Sequence, residues 1–322
     1  MLRYGLIQSS IRAAAGVGHL KILITGAGGF VGRHLVAHLA ASGDGHQVVA
    51  IVRRPLADAK VIADLTQFED WPALLAGVEV VVHLAARVHQ RDVNEREAFE
   101  RDNTTLVETM VEAAMAAGVG RFILLSSIKA AAHADNRALD ASDDAYGQSK
   151  AAAEQLLFER THSSPMEVVV IRPPLVYGPG VKANFQRLTV LARLPIPLPL
   201  ARIDNRRDMV SVFNLVDLIG CCIDHPAAAN HLFSVSDGLP YSLSQLVAAL
   251  RRAQGRAPRL FSLPPPLLRG MLLLLGRKAM IESLFDDLAA DCSDCDRLLD
   301  WQPRYTLRQT LAAMVESSDV IR

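Results

Sequence analysis

Residues 25–32 read TGAGGFVG, and this stretch decides the expected fold of the 322-residue chain. Its glycines follow a short apolar run and open a segment with helical spacing of apolar residues. Glycine at such a junction permits a tight turn, lets the backbone approach a pyrophosphate, and lets helix and strand pack closely. The amide groups at the helix N-terminus then face the phosphates. We therefore predict a dinucleotide site rather than only a tight turn, with contacts from Gly26, Gly29, Phe30, Val31 and Gly32.

Strand and helix patterns alternate through the first half of the chain. Short runs rich in Val, Ile and Leu indicate buried strands, and the segments between them have apolar residues at helical spacing. This alternation predicts an α/β fold, a doubly wound parallel (Rossmann) sheet with both faces covered. Strands are predicted over residues 20–25, 47–52, 60–63, 78–84, 121–126 and 167–171, and helices over residues 30–41, 99–118 and 146–160.

Prolines become frequent after Pro173, and the helical segments become shorter. We expect a dinucleotide-binding domain over residues 19–175. A smaller, mostly helical substrate-binding lobe follows over residues 176–322, with segments that return to the first domain. Residues 1–18 lack a continuous apolar core, which argues against a secretory signal. We expect them to form a disordered leader or an over-long start.

The charge balance excludes one broad class of function. The chain has 34 Lys and Arg residues against 34 Asp and Glu residues, so its formal net charge is zero. A general nucleic-acid binder needs a basic excess to meet the phosphates, so we expect no nucleic-acid partner. A few well-placed arginines would still suffice for an anionic small molecule.

Two further features predict no metal site and no membrane span. The pair Cys292 and Cys295 forms a CxxC without a second cysteine or histidine pair nearby, so ordinary packed or solvent-facing thiols are expected. The most apolar stretch, residues 263–276, is interrupted by prolines and Arg269 and is shorter than the ~20 residues that a span needs. We expect a buried or groove-lining helix there, with a membrane-surface contact as the alternative.

The end of the second strand bears on the choice of cofactor. An acidic residue about 20 residues past the glycines binds the ribose hydroxyls of NAD, whereas an arginine suits the 2′-phosphate of NADP. This sequence has Arg53 and Arg54 there and no acidic residue. We therefore favour NADP(H) over NAD(H), with solvated surface charges as the alternative.

A YxxxK motif, residues 146–150, carries the expected chemistry. Positions four apart share one face of a helix, so Lys150 can place its ammonium group close to Tyr146. A nearby cation would lower the pKa of the tyrosine and make it a usable acid or base. Ser127, at the end of the preceding strand, could hydrogen-bond the reacting oxygen.

These motifs together resemble the extended short-chain dehydrogenase/reductases, in particular the NAD(P)-dependent nucleotide-sugar epimerase/dehydratase group. The resemblance covers residues 21–305 and rests on TGAGGFVG, the Ala-Asp-Leu step at residues 63–65, HLAARVH, RFILLSS, YGQSK and RPPLVYGPG. The runs GVKANF and NRRDMVSVFNLVDL resemble bacterial enzymes that reduce or epimerise C4 of a nucleotide-linked sugar in surface-polysaccharide synthesis.

The resemblance implies roles for particular residues. The catalytic set would be Ser127, Tyr146 and Lys150, of which the last two also touch the cofactor. Further cofactor contacts would be Asp64, Leu65, Ala85, Ala86, Arg87, Pro173 and Val176. Substrate contacts would come from His89, Ser127, Asn184 and Arg207. Helix capping by Asn184 and a surface ion pair for Arg207, or for its neighbour Arg206, are the alternatives.

The expected activity is NADP(H)-dependent 4-keto reduction of a nucleotide-linked sugar. A C4 epimerase with tightly held NAD is the close alternative, and a non-catalytic dinucleotide-binding protein is the third. Dehydration is disfavoured because no Asp-Glu pair follows the serine strand. We expect a cytoplasmic protein. In relatives the helix at residues 99–118 and the Tyr146 helix often pair in a homodimer, although the same apolar stripe would equally serve to cover the sheet.

Overall fold

The strands predicted in the first half all form, and they lie parallel in one sheet of seven. The computed structural model describes residues 19–88, 95–134, 144–274, 276, 287 and 290–319. The sheet has the order β3-β2-β1-β4-β5-β6-β9, which confirms the doubly wound parallel fold. Its strands are β1 Lys21–Thr25, β2 Gln47–Val52, β3 Ala59–Val61, β4 Val80–His83, β5 Arg121–Leu125, β6 Glu167–Arg172 and β9 His231–Ser234, and a separate parallel pair is formed by β7 Leu175–Tyr177 and β8 Met209–Ser211.

Helices form at residues 30–42 and 145–161, where the spacing of apolar residues and the YxxxK segment predict them. The long helix expected over residues 99–118 differs, because a π-helical turn at Glu100–Thr105 precedes its regular part. The helices are α1 Phe30–Ser42, α2 Trp71–Leu75, α3 Glu95–Phe99, α4 Leu106–Ala116, α5 Ile128–Ala134, α6 Ala145–Thr161, α7 Ala183–Arg193, α8 Val212–Asp224, α9 Leu243–Ala253, α10 Pro265–Leu274, α11 Ser293–Leu299 and α12 Leu307–Asp319.

Contacts within the chain separate two compact units. The first contains the described residues up to Pro173, together with Val216–Ser234 and Ser293–Trp301. Its core buries the sheet strands against the inward stripe of α4, as the apolar spacing predicts. The burial of fully apolar strands on both faces is what a parallel sheet requires.

The second unit contains Pro174–Leu215, Val235–Cys292 and the described residues from Gln302 onward. Its core includes Tyr177 and Phe185, whose rings stack 5.4 Å apart, packed with residues of α9 and α12. A second cluster packs Leu268 of α10 against Leu198 and Val247.

Helix α10, expected to be buried or to line a groove, is only partly buried. Leu268 is buried, but Leu267, Met271 and Leu274 are exposed. Among the described residues, no helix is long and apolar enough to cross a membrane. The four cysteines have no disulfide partner, and within the described part of the chain no group of three or more His, Cys, Asp or Glu side chains could hold a metal ion.

Candidate active site

The glycine turn brings the end of β1 against the loop that follows β4. Gly26 has φ of +69°, and a Cβ atom there would lie 2.7 Å from the backbone nitrogen of Ala85. A Cβ on Gly32 would lie 2.3 Å from the carbonyl oxygen of Gly26. Both positions therefore exclude a side chain. Gly29 precedes α1 and offers no side-chain cap, so the amide groups of this helix end suit a pyrophosphate.

The residues predicted to contact the adenosine part of the cofactor follow β2 and β3. Arg53 and Arg54 are exposed directly after β2. The Asp64 carboxylate accepts hydrogen bonds from the Thr66 amide, at 2.9 Å, and the Thr66 hydroxyl, at 2.7 Å. These hydrogen bonds lower the pKa of Asp64, and the charge of Arg53 contributes in the same direction. Arg53 therefore lies near a fixed turn that also contains the buried Leu65.

Hydrogen bonds from its backbone amides hold the loop after β4 in place. The amide of Ala85 donates to the Thr25 hydroxyl at 3.4 Å. The amide of Arg87 donates to the Asn103 side chain at 2.8 Å, and the Arg87 guanidinium pairs with Asp102 at 2.7 Å. Ala86 lies between these two attachments and is partly buried. The loop thus has a fixed course past the predicted cofactor position.

The structure brings the three predicted catalytic residues together. Ser127 follows β5, and its hydroxyl is hydrogen-bonded with that of Tyr146, one turn before Lys150 in α6. The Lys150 ammonium donates to the carbonyl of Leu125 at 2.9 Å. Asp144 caps α6 by accepting from the Gly147 amide at 3.1 Å. The cap and the β5 carbonyl fix both ends of the YxxxK segment.

The protonation of this group differs from the sequence-based prediction. Burial raises the pKa of Tyr146, the hydrogen bond with Ser127 opposes that rise, and Asp144 adds to it. Burial lowers the pKa of Lys150 to about 8. The prediction that Lys150 lowers the tyrosine pKa is wrong for this structure, since desolvation dominates and the ammonium is directed to the Leu125 carbonyl. Tyr146 is therefore protonated at neutral pH and can donate a proton.

A buried histidine completes the surroundings of Lys150. His83 is 1% exposed, and its Nδ1 lies 2.8 Å from the Thr25 hydroxyl. Burial, together with the Lys150 charge, lowers the pKa of His83 to about 3. The ring is therefore neutral at physiological pH, and it packs in the core as the last residue of β4.

Asn103 is a candidate that the sequence analysis missed. Its amide nitrogen donates to the Ser149 hydroxyl at 3.0 Å and to the Arg87 carbonyl at 3.3 Å, and Ser149 donates in turn to the Tyr146 carbonyl at 2.8 Å. The side chain is 1% exposed. This chain of hydrogen bonds connects the loop after β4, predicted to pass the cofactor, with the helix of Tyr146 and Lys150. The polar run at residues 100–105, which interrupts the apolar stripe, was the available signal.

The segment after β6 has residues in both compact units. The carbonyl of Pro173 accepts from the Ile128 amide at 3.0 Å, which holds that segment beside the residue after Ser127. Val176 belongs to the second unit, where it pairs with Val210 in the β7–β8 ladder. Sequence analysis assigned both residues to the nicotinamide end, and that assignment stays a prediction.

The predicted substrate residues of the second unit are placed as follows. Asn184 lies in the first turn of α7, but the helix cap is Lys182, so capping by Asn184 does not explain it. Arg207 forms a two-way backbone bridge with Tyr241, at 3.1 and 2.9 Å. Arg206 lines a cavity of about 520 Å³ that also contains Asp208 and Asp287. His89 and the side chain of Asn184 lie outside the described residues.

A family model covers most of this arrangement. Residues 22–236 match the NAD dependent epimerase/dehydratase family. The chain belongs to that family. The match contains the glycine turn, the serine strand and the YxxxK helix, so the sequence-based recognition of the family is confirmed.

Two of the relatives that the chain matches are nucleotide-sugar enzymes. The chain is 38% identical over 323 residues to a UDP-glucose 4-epimerase of Vibrio cholerae, covering 93% of this chain and 97% of the relative. It is 32% identical over 167 residues to the UDP-2-acetamido-2,6-beta-L-arabino-hexul-4-ose reductase of Pseudomonas aeruginosa, covering 52% of this chain and 38% of the relative.

The fold matches solved structures of the same family. The UDP-glucuronic acid 4-epimerase of Bacillus cereus, solved in complex with NAD, superposes with a TM-score of 0.71. The superposition covers 92% of this chain and 96% of that one at 19% identity. This similarity establishes the family fold for the present chain.

Proposed function

We propose that this protein is an NADP(H)-dependent reductase of the 4-keto group of a nucleotide-linked sugar, of the kind used in surface-polysaccharide synthesis. The observation that carries the proposal is the exposed pair Arg53 and Arg54 after β2, where an NAD-specific site would have an acidic residue. The pair suits the extra phosphate of NADPH, the cofactor on which biosynthetic reductions generally draw.

The residues around the glycine turn fit a dinucleotide. Gly26 and Gly32 leave room for the backbone to approach a pyrophosphate, because a Cβ atom at either position would meet backbone atoms. Leu65 and the loop from Ala85 to Arg87 would hold the remainder of the cofactor. When bound, NADPH supplies the hydride that reduces the carbonyl carbon.

Tyr146 would donate the proton that completes the reduction. Its raised pKa keeps the phenol protonated, which is the state that a ketone reduction consumes as the C4 oxygen gains negative charge. Ser127, already hydrogen-bonded to that phenol, would orient the same oxygen. The two hydroxyl groups thus give the reacting oxygen one proton donor and one positioning partner.

Lys150 would replace the lost proton and hold the cofactor ribose. Its pKa of about 8 lies close to neutrality, so the ammonium can give up a proton at modest cost. Asn103 would fix the helix that carries both groups. The substrate diphosphate would contact Arg207 and Asn184, since an arginine can bind phosphate oxygens through two donors.

C4 epimerisation is the second candidate, favoured by the Vibrio cholerae relative, which matches almost the whole chain. An epimerase would use the same three residues to oxidise C4 and then reduce it from the opposite face. The arginine pair after β2 weighs against this candidate, because a site for tightly held NAD would have an acidic residue there.

One assay separates the candidates. Purified protein is incubated with NADPH and a UDP-linked 4-keto-6-deoxy sugar, and in parallel with UDP-glucose and no added cofactor. A reductase consumes NADPH in equal amount to substrate and yields a sugar heavier by two hydrogen atoms. Formation of UDP-galactose without net cofactor consumption would establish the epimerase instead. Cofactor binding with no turnover of a broad sugar panel would favour the non-catalytic alternative.

A further inference from the structure

A small basic pocket lies within the second unit and uses none of the residues assigned to the active site. It has a volume of about 190 Å³ and is lined by Leu194, Pro195, Arg251, Arg256, Ala257 and Arg259. Three of these six residues are arginines, and the lining contains no carboxylate. The surrounding sequence has the same bias, since residues 251–269 contain five arginines and no acidic residue.

Arg251 forms the floor of this pocket. It is 1% exposed, and its two terminal nitrogens donate to backbone carbonyls of both neighbouring loops. The distances are 2.9 Å to Pro258, 3.2 Å to Arg259, 3.1 Å to Leu194 and 2.7 Å to Ile196. These bonds fix the guanidinium and hold the two loops together.

The charge of Arg251 is left uncompensated by these contacts. Its partners are neutral carbonyls, and its Nε atom is buried without a hydrogen-bond partner among the described residues. A guanidinium keeps its proton in proteins, so the pocket contains a permanent buried cation with one unused donor. An anion would supply both the missing charge and an acceptor.

The rim of the pocket adds two more cations and apolar surface. Arg256 and Arg259 are exposed and can reach an anion without first breaking buried contacts. Leu194 is 40% exposed, and Ile196, whose carbonyl accepts from Arg251, is 55% exposed. A charged floor with an apolar rim is the arrangement expected for an anionic group attached to a less polar body.

We propose that this pocket binds a phosphate group. Its volume accommodates a phosphate but is below the range of about 300–1,000 Å³ typical of pockets that enclose a whole small-molecule ligand. Arginine is the residue that matches the paired oxygens of phosphate best. The phosphate can belong to free inorganic phosphate or to the headgroup of an anionic phospholipid, whose acyl region would meet the exposed Leu194 and Ile196.

The test uses the full-length protein with NADPH and UDP at saturating concentration, so that other phosphate-binding positions are occupied. Binding of inorganic phosphate is measured by titration calorimetry. Binding to phosphatidylcholine vesicles with and without phosphatidylglycerol is measured by sedimentation. The test variant is the double change Arg256→Gln and Arg259→Gln, which leaves Arg251 and its loop contacts in place. Arg252→Gln is the matched control, because Arg252 is exposed on the same segment but does not line the pocket.

The double variant should weaken binding at least about tenfold, whereas the control should match the wild type. Saturable binding of inorganic phosphate identifies a free-phosphate site, and binding only to phosphatidylglycerol vesicles identifies a lipid headgroup. The proposal is overturned if the wild type binds neither probe, or if the double variant binds both as well as the wild type does.

Chemical modification of the wild type gives a second measurement that does not depend on a folded variant. Phenylglyoxal labels accessible arginines, and peptide mass mapping identifies which ones react. The bound probe should protect Arg256 and Arg259 but not Arg252. Equal labelling of all three with and without the probe would overturn the proposal. Neither measurement uses the keto-sugar reaction, so the outcome is separate from that of the proposed enzymatic function.

Discussion

Each of the two compact units contains a buried cation, and the two cations differ in whether they can lose a proton. Lys150, in the first unit, is 2% exposed and has a pKa of about 8. Arg251, in the second, is 1% exposed and is surrounded by backbone carbonyls. A guanidinium stays charged at any physiological pH, whereas a buried ammonium readily gives up its proton.

The groups around the two cations differ in the same way, because titratable groups surround Lys150 and groups that do not titrate surround Arg251. Lys150 lies near the neutral ring of His83 and one helical turn from Tyr146, so its surroundings suit proton transfer. The contacts of Arg251 are carbonyl groups that do not titrate, so it acts as a fixed charge. The comparison teaches that a buried lysine suits the proton transfer proposed for the first unit, whereas a buried arginine supplies the fixed charge on which the proposed phosphate site of the second unit depends.

The largest expected effect is on the proton donor. Tyr146→Phe removes only the hydroxyl, and turnover should fall by about 10²–10⁴-fold, the usual contribution of general acid–base catalysis. Steady-state kinetics with the keto-sugar should show little change in NADPH affinity. Tyr305→Phe removes the same atom from a tyrosine that packs on Phe213 and should keep full activity. Near-normal turnover of the Tyr146 variant would refute the proton-transfer role.

The second effect concerns the arginines after β2. Replacing Arg53 and Arg54 with serine should weaken NADPH binding by roughly 10- to 100-fold, since charged hydrogen bonds contribute about 1.5–3 kcal/mol. NADH binding, measured in the same fluorescence titration, should change far less. Arg308→Ser, which removes another exposed arginine, is the control. If the wild type binds both cofactors equally well, these arginines do not select NADPH.

A smaller effect is expected for the substrate arginine. Arg207→Ala should raise KM for the nucleotide sugar by on the order of tenfold while cofactor affinity stays unchanged. Initial-rate kinetics over a range of sugar concentrations measure the change. Arg206→Ala is the comparison, because Arg206 precedes it in sequence and lines the cavity of the second unit. A change in KM for Arg206 alone would move the substrate contact to that residue.

The smallest effect tests the proton-handling lysine through stability. A buried ammonium whose pKa falls from 10.5 to about 8 costs the folded protein roughly 3 kcal/mol, and its bond to Leu125 returns roughly 1–2 kcal/mol. Lys150→Met should therefore raise the free energy of unfolding of the cofactor-free protein by about 1 kcal/mol at pH 7.

The stability gain of the Lys150→Met variant should become smaller as the pH rises. Below pH 8 the lysine is charged in both the folded and the unfolded protein, so the full cost of burial is present. Between pH 8 and pH 10.5 only the unfolded protein keeps the proton, and the wild type gains stability relative to the variant. Denaturant unfolding at pH 7 and pH 10 measures this; a gain that grows with pH would contradict the buried-charge explanation.

The sequence by itself determined the fold and which residues form most of the candidate catalytic group. Strand periodicity, the glycine pattern at the strand–helix junction, and the spacing of Tyr146 and Lys150 are local properties, so they can be recognised without coordinates. The order of strands in the sheet then follows from the short, right-handed connections of parallel strands.

The tertiary structure alone decided the protonation and the long-range contacts. Asn103 meets Ser149 across 46 residues of sequence, and Arg251 meets Leu194 across 57. The direction of the Tyr146 pKa depended on burial, which outweighed the hydrogen bond with Ser127. Desolvation and hydrogen bonding are set by neighbours that are distant in the chain, and a local pattern carries no record of which neighbours those are.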